Sequence, residues 1–400
     1  MTTATTQHER QSAWTVFLVF LRLGLTSFGG PVAHLGYFRQ AFVQQRRWLS
    51  EHAYSDIVAL CQFLPGPASS QVGMVIGLAR AGYRGALAAW LGFTLPSALA
   101  LIVFALSLSS YGAAVPAGLL HGLKVAAVAV VAQAVWGMGR ALCTDGARLS
   151  VMAAAAVVAL LAASPWMQIG VIAVAGLIGA RWFRHAPAAP HEPLPIRVGH
   201  RAGVVFLVLF FALLGGLPLL AELSGNAALA MVEAFYRAGS LVFGGGHVVL
   251  PLLQASVVPT GWVDNDTFLA GYGAAQAVPG PLFTFAAFLG ASMHIAPSGW
   301  AGGLLCVVAI FLPSFLLVFG ALPFWERLRR SVGARAALAG VNAAVVGLLL
   351  AALYDPVWTS AIHARTDVAL ALLAWVALTV WRVPPWLVVA ACGIAGWLLV

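Results

Sequence analysis

The chain has 400 residues, of which 62% are hydrophobic and only 8% are charged, and its mean hydropathy is +0.94. Soluble globular domains carry about 25% charged residues, so this composition excludes that class and indicates a polytopic membrane protein. The net charge is +9, but the basic residues are dispersed among apolar segments, which argues against nucleic acid as a partner.

Apolar segments of about 15–25 residues recur along the whole chain, as spanning helices require. A transmembrane barrel would instead show short alternating strands. We therefore predict an all-α fold. The start lacks a basic region followed by a cleavage site, so no removable signal peptide is expected. The four cysteines lie scattered in apolar runs and predict neither a disulfide framework nor a metal site.

The first two apolar segments are interrupted. Residues 12–45 contain FGGP, and residues 54–78 contain PGP between two basic loops. Two full spans need about 40 residues, so 54–78 cannot cross the membrane twice. It predicts a re-entrant hairpin with PGP at its tip. The FGGP segment predicts either a second re-entrant element or a full span.

Four spans without a Gly-Pro break follow, at 86–109, 115–138, 149–164 and 167–182. Residues 183–202 are rich in proline and arginine, which predicts a cytoplasmic linker. One further span, 203–221, connects this linker to the rest of the chain and has no counterpart before it.

The segments before and after this linker are copies of one another. RLGLTSFGGPVAHL at 22–35 matches RAGSLVFGGGHVVL at 237–250, and PGP at 65–67 matches PGP at 279–281, with offsets of 215 and 214 positions. The single connecting span reverses the second copy. We therefore predict an inverted-topology repeat of 1–182 and 222–400, with about nine spans and four broken or re-entrant elements.

The breaks predict a binding site. Irregular backbone inside a membrane is tolerated only where protein buries it or where it lines a cavity. Half-helix N-termini present free N–H groups that bind anions, and transporters with inverted repeats bind substrate at the midplane, where such breaks meet. The predicted substrate-binding residues are Arg22, Gly29, Gly30, Gln62, Pro65, Gly66, Pro67, Ser69, Ser70, Arg237, Gly244, Gly245, Gln276, Pro279, Gly280, Pro281 and Thr284.

Three residues are candidates for carrying protons: His34, His247 and Glu233. Each histidine follows a glycine-rich break, although either can instead make a structural hydrogen bond. Arg22 and Arg237 lie in apolar segments, where an unpaired charge costs at least ~2.5 kcal/mol. Their alternative roles are snorkelling or, for Arg237, a structural pair with Glu233.

The paired motifs carry a family resemblance. FGGPVAHLG with QFLPGPASSQ, repeated as FGGGHVVLP with QAVPGPLFTFAAFLG, resembles the long-chain, two-domain form of the chromate ion transporter family over nearly all of the chain. The resemblance implies proton-driven export of chromate across the bacterial inner membrane, chromate resistance, sulfate as a structural analogue, and no cofactor. The second copy has Gly246 in place of Pro31 and Leu282 in place of Ala68, so we expect more substrate contacts in the first half.

The residues by themselves predict a secondary transporter of a small anion and leave its identity open. Import of sulfate or another oxyanion, and a passive anion channel, are the alternatives. The chain has no HExxH or GxSxG motif that would indicate an enzyme, and no P-loop, since its single lysine, Lys124, follows Leu123. Besides lipid, the expected protein partner is a second copy in a homodimer.

Overall fold

The computed structural model describes residues 11–111, 116–162, 165–183 and 198–399. Across these ranges the chain is predominantly helical and forms no strand. Five of the helical stretches are long and apolar enough to cross a membrane, and several shorter apolar helices accompany them. The prediction of an all-α polytopic membrane protein is confirmed.

The FGGP segment is a broken helix. Helix α1 (Ala13–Thr26) ends where Ser27 turns to an extended conformation, and α2 (Gly30–Phe38) begins after Gly29, whose φ is +100°. A π-helical stretch, Arg39–Gln45, continues α2. At about 1.5 Å per residue, α1 rises roughly 21 Å, which is less than the ~30 Å hydrocarbon core of a bilayer.

The PGP segment separates α3 (Glu51–Phe63) from α4 (Ala68–Tyr111), and the two helices pack together. Helix α4 is kinked, because Ala81 and Gly82 have non-helical backbone angles. The kink divides α4 into a short arm after PGP and a long arm. This arrangement has the form of the predicted 54–78 hairpin.

The remaining helices of the first half, and the connecting helix, correspond to the predicted spans. The connecting helix α8 begins three residues before the predicted 203 and ends three residues after 221. It exposes most of its apolar surface and so lies at the periphery of the protein. Most of the predicted linker 183–202 lies outside the described residues. The four helices are α5 (Ala117–Leu142), α6 (Gly146–Leu161), α7 (Pro165–Trp182) and α8 (His200–Ser224).

The second half repeats the breaks at the predicted places. Extended residues and short 3₁₀ turns interrupt it at 242–248 and 278–284. Its helices are α9 (Ala227–Leu241), α10 (Val249–Val257), α11 (Asn265–Ala277), α12 (Phe285–Ser292), α13 (Gly299–Ala321), α14 (Trp325–Arg330), α15 (Val332–Ala352), α16 (Thr359–Ala361), α17 (Arg365–Thr379) and α18 (Pro385–Leu399).

Helices of the two halves pack against each other in a reciprocal way. Helix α5 of the first half packs against α17 and α18 of the second, and α15 of the second half packs against α6 and α7 of the first. Small residues bring the backbones together at both crossings. The matched contacts are Gly118 with Gly396, Gly122 with Cys392, Ala336 with Gly179, and Gly340 with Ala175. The halves are therefore related by an approximate twofold axis, whereas their inversion relative to the membrane stays a prediction.

Candidate functional site

Each PGP turn is tied to a broken helix of the other half. The backbone N–H of Gly66 donates to the carbonyl oxygen of Val242 at 2.7 Å, and the N–H of Gly280 donates to the carbonyl oxygen of Ser27 at 2.9 Å. Both glycines have a positive φ, +119° and +101°. Since an L side chain strongly disfavours these angles, glycine is required where the breaks of the two halves meet.

A cavity of about 1170 Å³ opens beside the breaks. Three of the four breaks line it, through Gly29 and Pro31, through Gly66, and through Gly244 with the two residues that follow it. The fourth break reaches a second cavity of only about 20 Å³, which is room for about one water molecule. Gly29, Pro31 and His247 line both cavities, so these residues lie between the wide cavity and the narrow one.

Helices α3 and α15 face each other across the wide cavity. Four residues of α15 line it, Arg335, Leu338, Ala339 and Asn342, and their spacing places them on one face of the helix. Asn342 lies at the break of the second half, because a methyl group added to Gly244 would be 3.4 Å from Asn342 Oδ1. Arg335 lies two helical turns away from it along α15.

The charged residues of the cavity wall are four arginines and one aspartate. Arg329 is paired with Asp56 at 2.9 Å, and Arg148 with Asp145 at 3.2 Å. Within the described part of the chain, Arg335 and Arg382 have no carboxylate within 4 Å. The wall therefore has an excess of positive charge, and guanidinium groups match oxyanions in geometry as well as in charge.

Arg382 occupies a backbone conformation that favours glycine. Its φ is +55°, just after the end of α17, where helices commonly place a left-handed glycine. For an L-residue this conformation costs roughly 1–2 kcal/mol. Strain retained at a cavity wall is a recognised sign of a functional position.

Eight of the predicted binding residues line the two cavities. Gly29 lines both of them, four of the others line the wide cavity only, and three line the narrow cavity only. Pro65, Pro67, Pro279 and Pro281 form the turns of the two PGP breaks. The cavity-lining set is Gly29, Gln62, Gly66, Gly244 and Gly245 in the wide cavity and Gly29, Gly30, Gln276 and Gly280 in the narrow one.

The other predicted binding residues lie elsewhere. Arg22 is exposed on α1. Arg237 contacts both carboxylate oxygens of Glu233, at 2.6 and 3.3 Å, which is the structural pair that the sequence left open. Ser69 and Ser70 are buried, and the Thr284 hydroxyl is also buried and donates to the carbonyl oxygen of Pro281 at 2.7 Å. Their part in binding stays a prediction.

The three candidate proton carriers differ in access to the cavities. His247 lines both, and its Nδ1 lies 2.9 Å from the hydroxyl of Tyr272. His34 is buried, with its two ring nitrogens 3.3 Å from Ser69 Oγ and 3.2 Å from the carbonyl oxygen of Ser27. Glu233 is held by Arg237. Of the three, only His247 lines either cavity, and proton transfer by any of them stays a prediction.

The two halves of the chain each match one protein family. The profile described as chromate transporter matches residues 14–180 and again residues 229–397. The chain belongs to the chromate transporter family. Curated relatives include a chromate transport protein of Pseudomonas aeruginosa, 29% identical over 96% of this chain and 92% of the relative, and one of Cupriavidus metallidurans, 25% identical over 90% and 85%. A probable chromate transport protein of Synechococcus elongatus is 25% identical over 86% and 84%. No solved structure matches the chain.

For this member of the chromate transporter family, sequence reasoning missed the residues that charge the cavity. The repeat alignment of the breaks does not reach Arg335, Asn342 or Arg382. One signal was available, since Arg335 and Asn342 are seven positions apart in an apolar segment and so share a helix face. Nothing in the sequence placed that face opposite α3.

Proposed function

We propose that this protein is a secondary active transporter that exports chromate across the bacterial inner membrane, driven by the proton-motive force, and so gives chromate resistance. Membership of the chromate transporter family supports the substrate, as do the names of three relatives. The observation that carries the proposal is the arginine-bearing cavity at which helix breaks of both halves meet.

The charge of the cavity suits chromate. Arg335 and Arg382 have no carboxylate partner among the described residues, so they leave two positive charges for a dianion. The glycines of the breaks bring backbone close to the cavity without a side chain in between. These donors recognise a tetrahedral oxyanion, and sulfate has the same charge and geometry as chromate.

The arginines around the cavity support an opening toward the cytoplasm. The helix ends that border it carry Arg140, Arg148 and the arginines of α14, and cytoplasmic loops are enriched in such residues. The loop before α11 and the first turn of that helix carry Asp264 and Asp266 and no basic residue. An exporter loads its substrate from the cytoplasm, so we interpret this conformation as the loading state.

We assign proton coupling to His247. It lies where the wide and the narrow cavity meet, and it is hydrogen-bonded to Tyr272. A proton bound or released there would change the charge of the wall that the two cavities share. A histidine is suited to this role because its ordinary pKa lies near neutrality.

The test is uptake of labelled chromate into inverted membrane vesicles with and without an imposed proton gradient, comparing the wild type with Arg335→Gln. We expect accumulation that depends on the gradient, that excess sulfate inhibits, and that the substitution strongly reduces. Arg84→Gln is the matched control, because that arginine is exposed and lines neither cavity.

Other results would contradict specific parts of the proposal. Sulfate transport without chromate transport would show that the substrate is wrong. Chromate flux that is indifferent to the gradient would indicate a channel. Gradient-driven movement in the opposite direction would identify an importer.

A further inference from the structure

The approximate twofold axis pairs α3 with α11 and α5 with α15. Helix α11 spans the residues that lie 214 positions after α3, and Gly122 of α5 and Gly340 of α15 make equivalent contacts. On the open side, the wide cavity lies between α3 and α15. On the other side, α11 packs directly against α5, with Gly273 facing the carbonyl oxygen of Leu123. The same interface is thus open in one copy and closed in the other.

The register of these helices gives Asn342 a counterpart. Asn342 follows Gly340 by two residues, and Lys124 follows Gly122 by two residues. Lys124 is the only lysine of the chain. Its side chain is 12% exposed, and its Nζ lies 2.9 Å from Oδ1 of Asp266, at the first turn of α11. The closed interface therefore covers a cation at the position where the open interface presents an amide.

Nearby charged groups have partners of their own. His121, one turn earlier on α5, lies 2.9 Å from Asp367, whose carboxylate also accepts from the backbone N–H groups of His363 and Ala364. Asp264 accepts from the backbone N–H of Thr267 and caps α11. Asp266 is thus the carboxylate that holds Lys124, and it does so from an exposed position.

We propose that Lys124 is the exit-side oxyanion-binding residue of this transporter, held by Asp266 in the conformation seen here. The inference rests on the proposed function. When each half adopts the conformation of the other, α3 closes on α15 and α11 moves away from α5. Lys124 then loses Asp266, faces the second side of the membrane, and binds the oxyanion before its release.

A single lysine allows a direct test by amine labelling. A membrane-impermeant, amine-reactive ester is added to vesicles that expose the face opposite the wide cavity, and labelling of Lys124 is quantified in the peptide that contains it. Lys124→Arg gives the background from the terminal amino group. The compared variants are Asp266→Asn, which breaks the pair, and Asp264→Asn, which removes a neighbouring charge but keeps a capping side chain.

We expect Asp266→Asn to raise the labelling rate about fivefold, the upper end of what an ion pair with one exposed partner contributes. Asp264→Asn should label like the wild type. Sulfate or chromate on the labelled side should slow labelling of the Asp266→Asn variant, because the anion occupies the amine.

Equal labelling of both aspartate variants, or equal labelling from the cavity side, would overturn the assignment of Lys124. The proposed function would stand in that case if the wild type still transports chromate. If sulfate protects Lys124 from labelling and chromate does not, the result supports Lys124 as the exit site and contradicts chromate as the substrate.

Discussion

The glycine of the first PGP turn offers a prediction that can be worked from the structure. Gly66 has a φ of +119°, and a methyl group added to it would lie 2.7 Å from both Gln71 Nε2 and Ser314 Oγ. Gln71 Nε2 donates to the carbonyl oxygen of Pro65 at 2.7 Å, so the methyl group would displace a hydrogen bond that closes the turn. Gly66→Ala therefore perturbs the backbone, the turn and the link to Val242 together.

The two main costs of Gly66→Ala can be added. Holding an L-residue at such an angle costs about 1–3 kcal/mol. Loss of the Gln71 hydrogen bond adds about 0.5–1.5 kcal/mol. Alanine regains about 0.4–1 kcal/mol by restricting the unfolded chain. We expect a net destabilisation of about 0.5–4 kcal/mol, together with loss of transport.

The control is Gly225→Ala. Gly225 also has a positive φ, +60°, but a methyl group there would meet no atom within 4 Å. This angle lies in the small left-handed region, so the expected cost is about 1 kcal/mol. Gly280→Ala is the reciprocal variant, since its methyl group would lie 2.9 Å from Ser97 Oγ.

Melting temperatures of the purified variants in detergent, with transport in vesicles, provide the assay. The expected order of stability is wild type, Gly225→Ala, then Gly66→Ala and Gly280→Ala together. If Gly66→Ala is as stable and as active as Gly225→Ala, the crossed hydrogen bonds do not hold the two halves and the reasoning fails.

Three further predictions concern charged or ionisable residues. Arg382→Gly should raise the melting temperature by relieving about 1–2 kcal/mol of backbone strain while it weakens oxyanion binding; a fall in both would show that the side chain is structural. Arg237→Gln should lower expression and stability, because it leaves Glu233 unpaired. Replacing both Arg237 and Glu233 by leucine should restore expression and stability. If Arg237→Gln causes no loss, the two residues do not form a structural pair. His247→Gln should make chromate flux insensitive to the proton gradient in vesicle assays, whereas unchanged gradient dependence would exclude it as the coupling residue.

Much of the fold was predictable because the membrane restricts the choices. Uninterrupted apolar segments have few alternatives to spanning helices, so α5, α6 and α7 lie close to the predicted ranges. The breaks were also visible, since FGGP and PGP disrupt a helix wherever they occur. Helix ends were less predictable, as the longer α8 shows, because capping and packing decide the last turn.

The site was predictable only where its chemistry is local. The glycines of the breaks line the cavities because their motifs fix the backbone at those positions. By contrast, Arg22 and Arg237 stand out in the sequence as intramembrane charges, yet one is exposed on α1 and the other is paired with Glu233. A charge in an apolar segment indicates a need for a partner and does not identify that partner.

The sequence by itself determined that this is a helical membrane protein, built twice from one unit, with helix breaks at matched positions. Hydropathy, length and the conformational limits of glycine and proline are local properties, and they are sufficient for these conclusions. Only the tertiary structure decided which helix faces meet. It placed Arg335 and Asn342 opposite α3, paired Lys124 with Asp266, and opened one interface while closing its counterpart. Those choices depend on close contacts between residues more than a hundred positions apart, which no local pattern encodes.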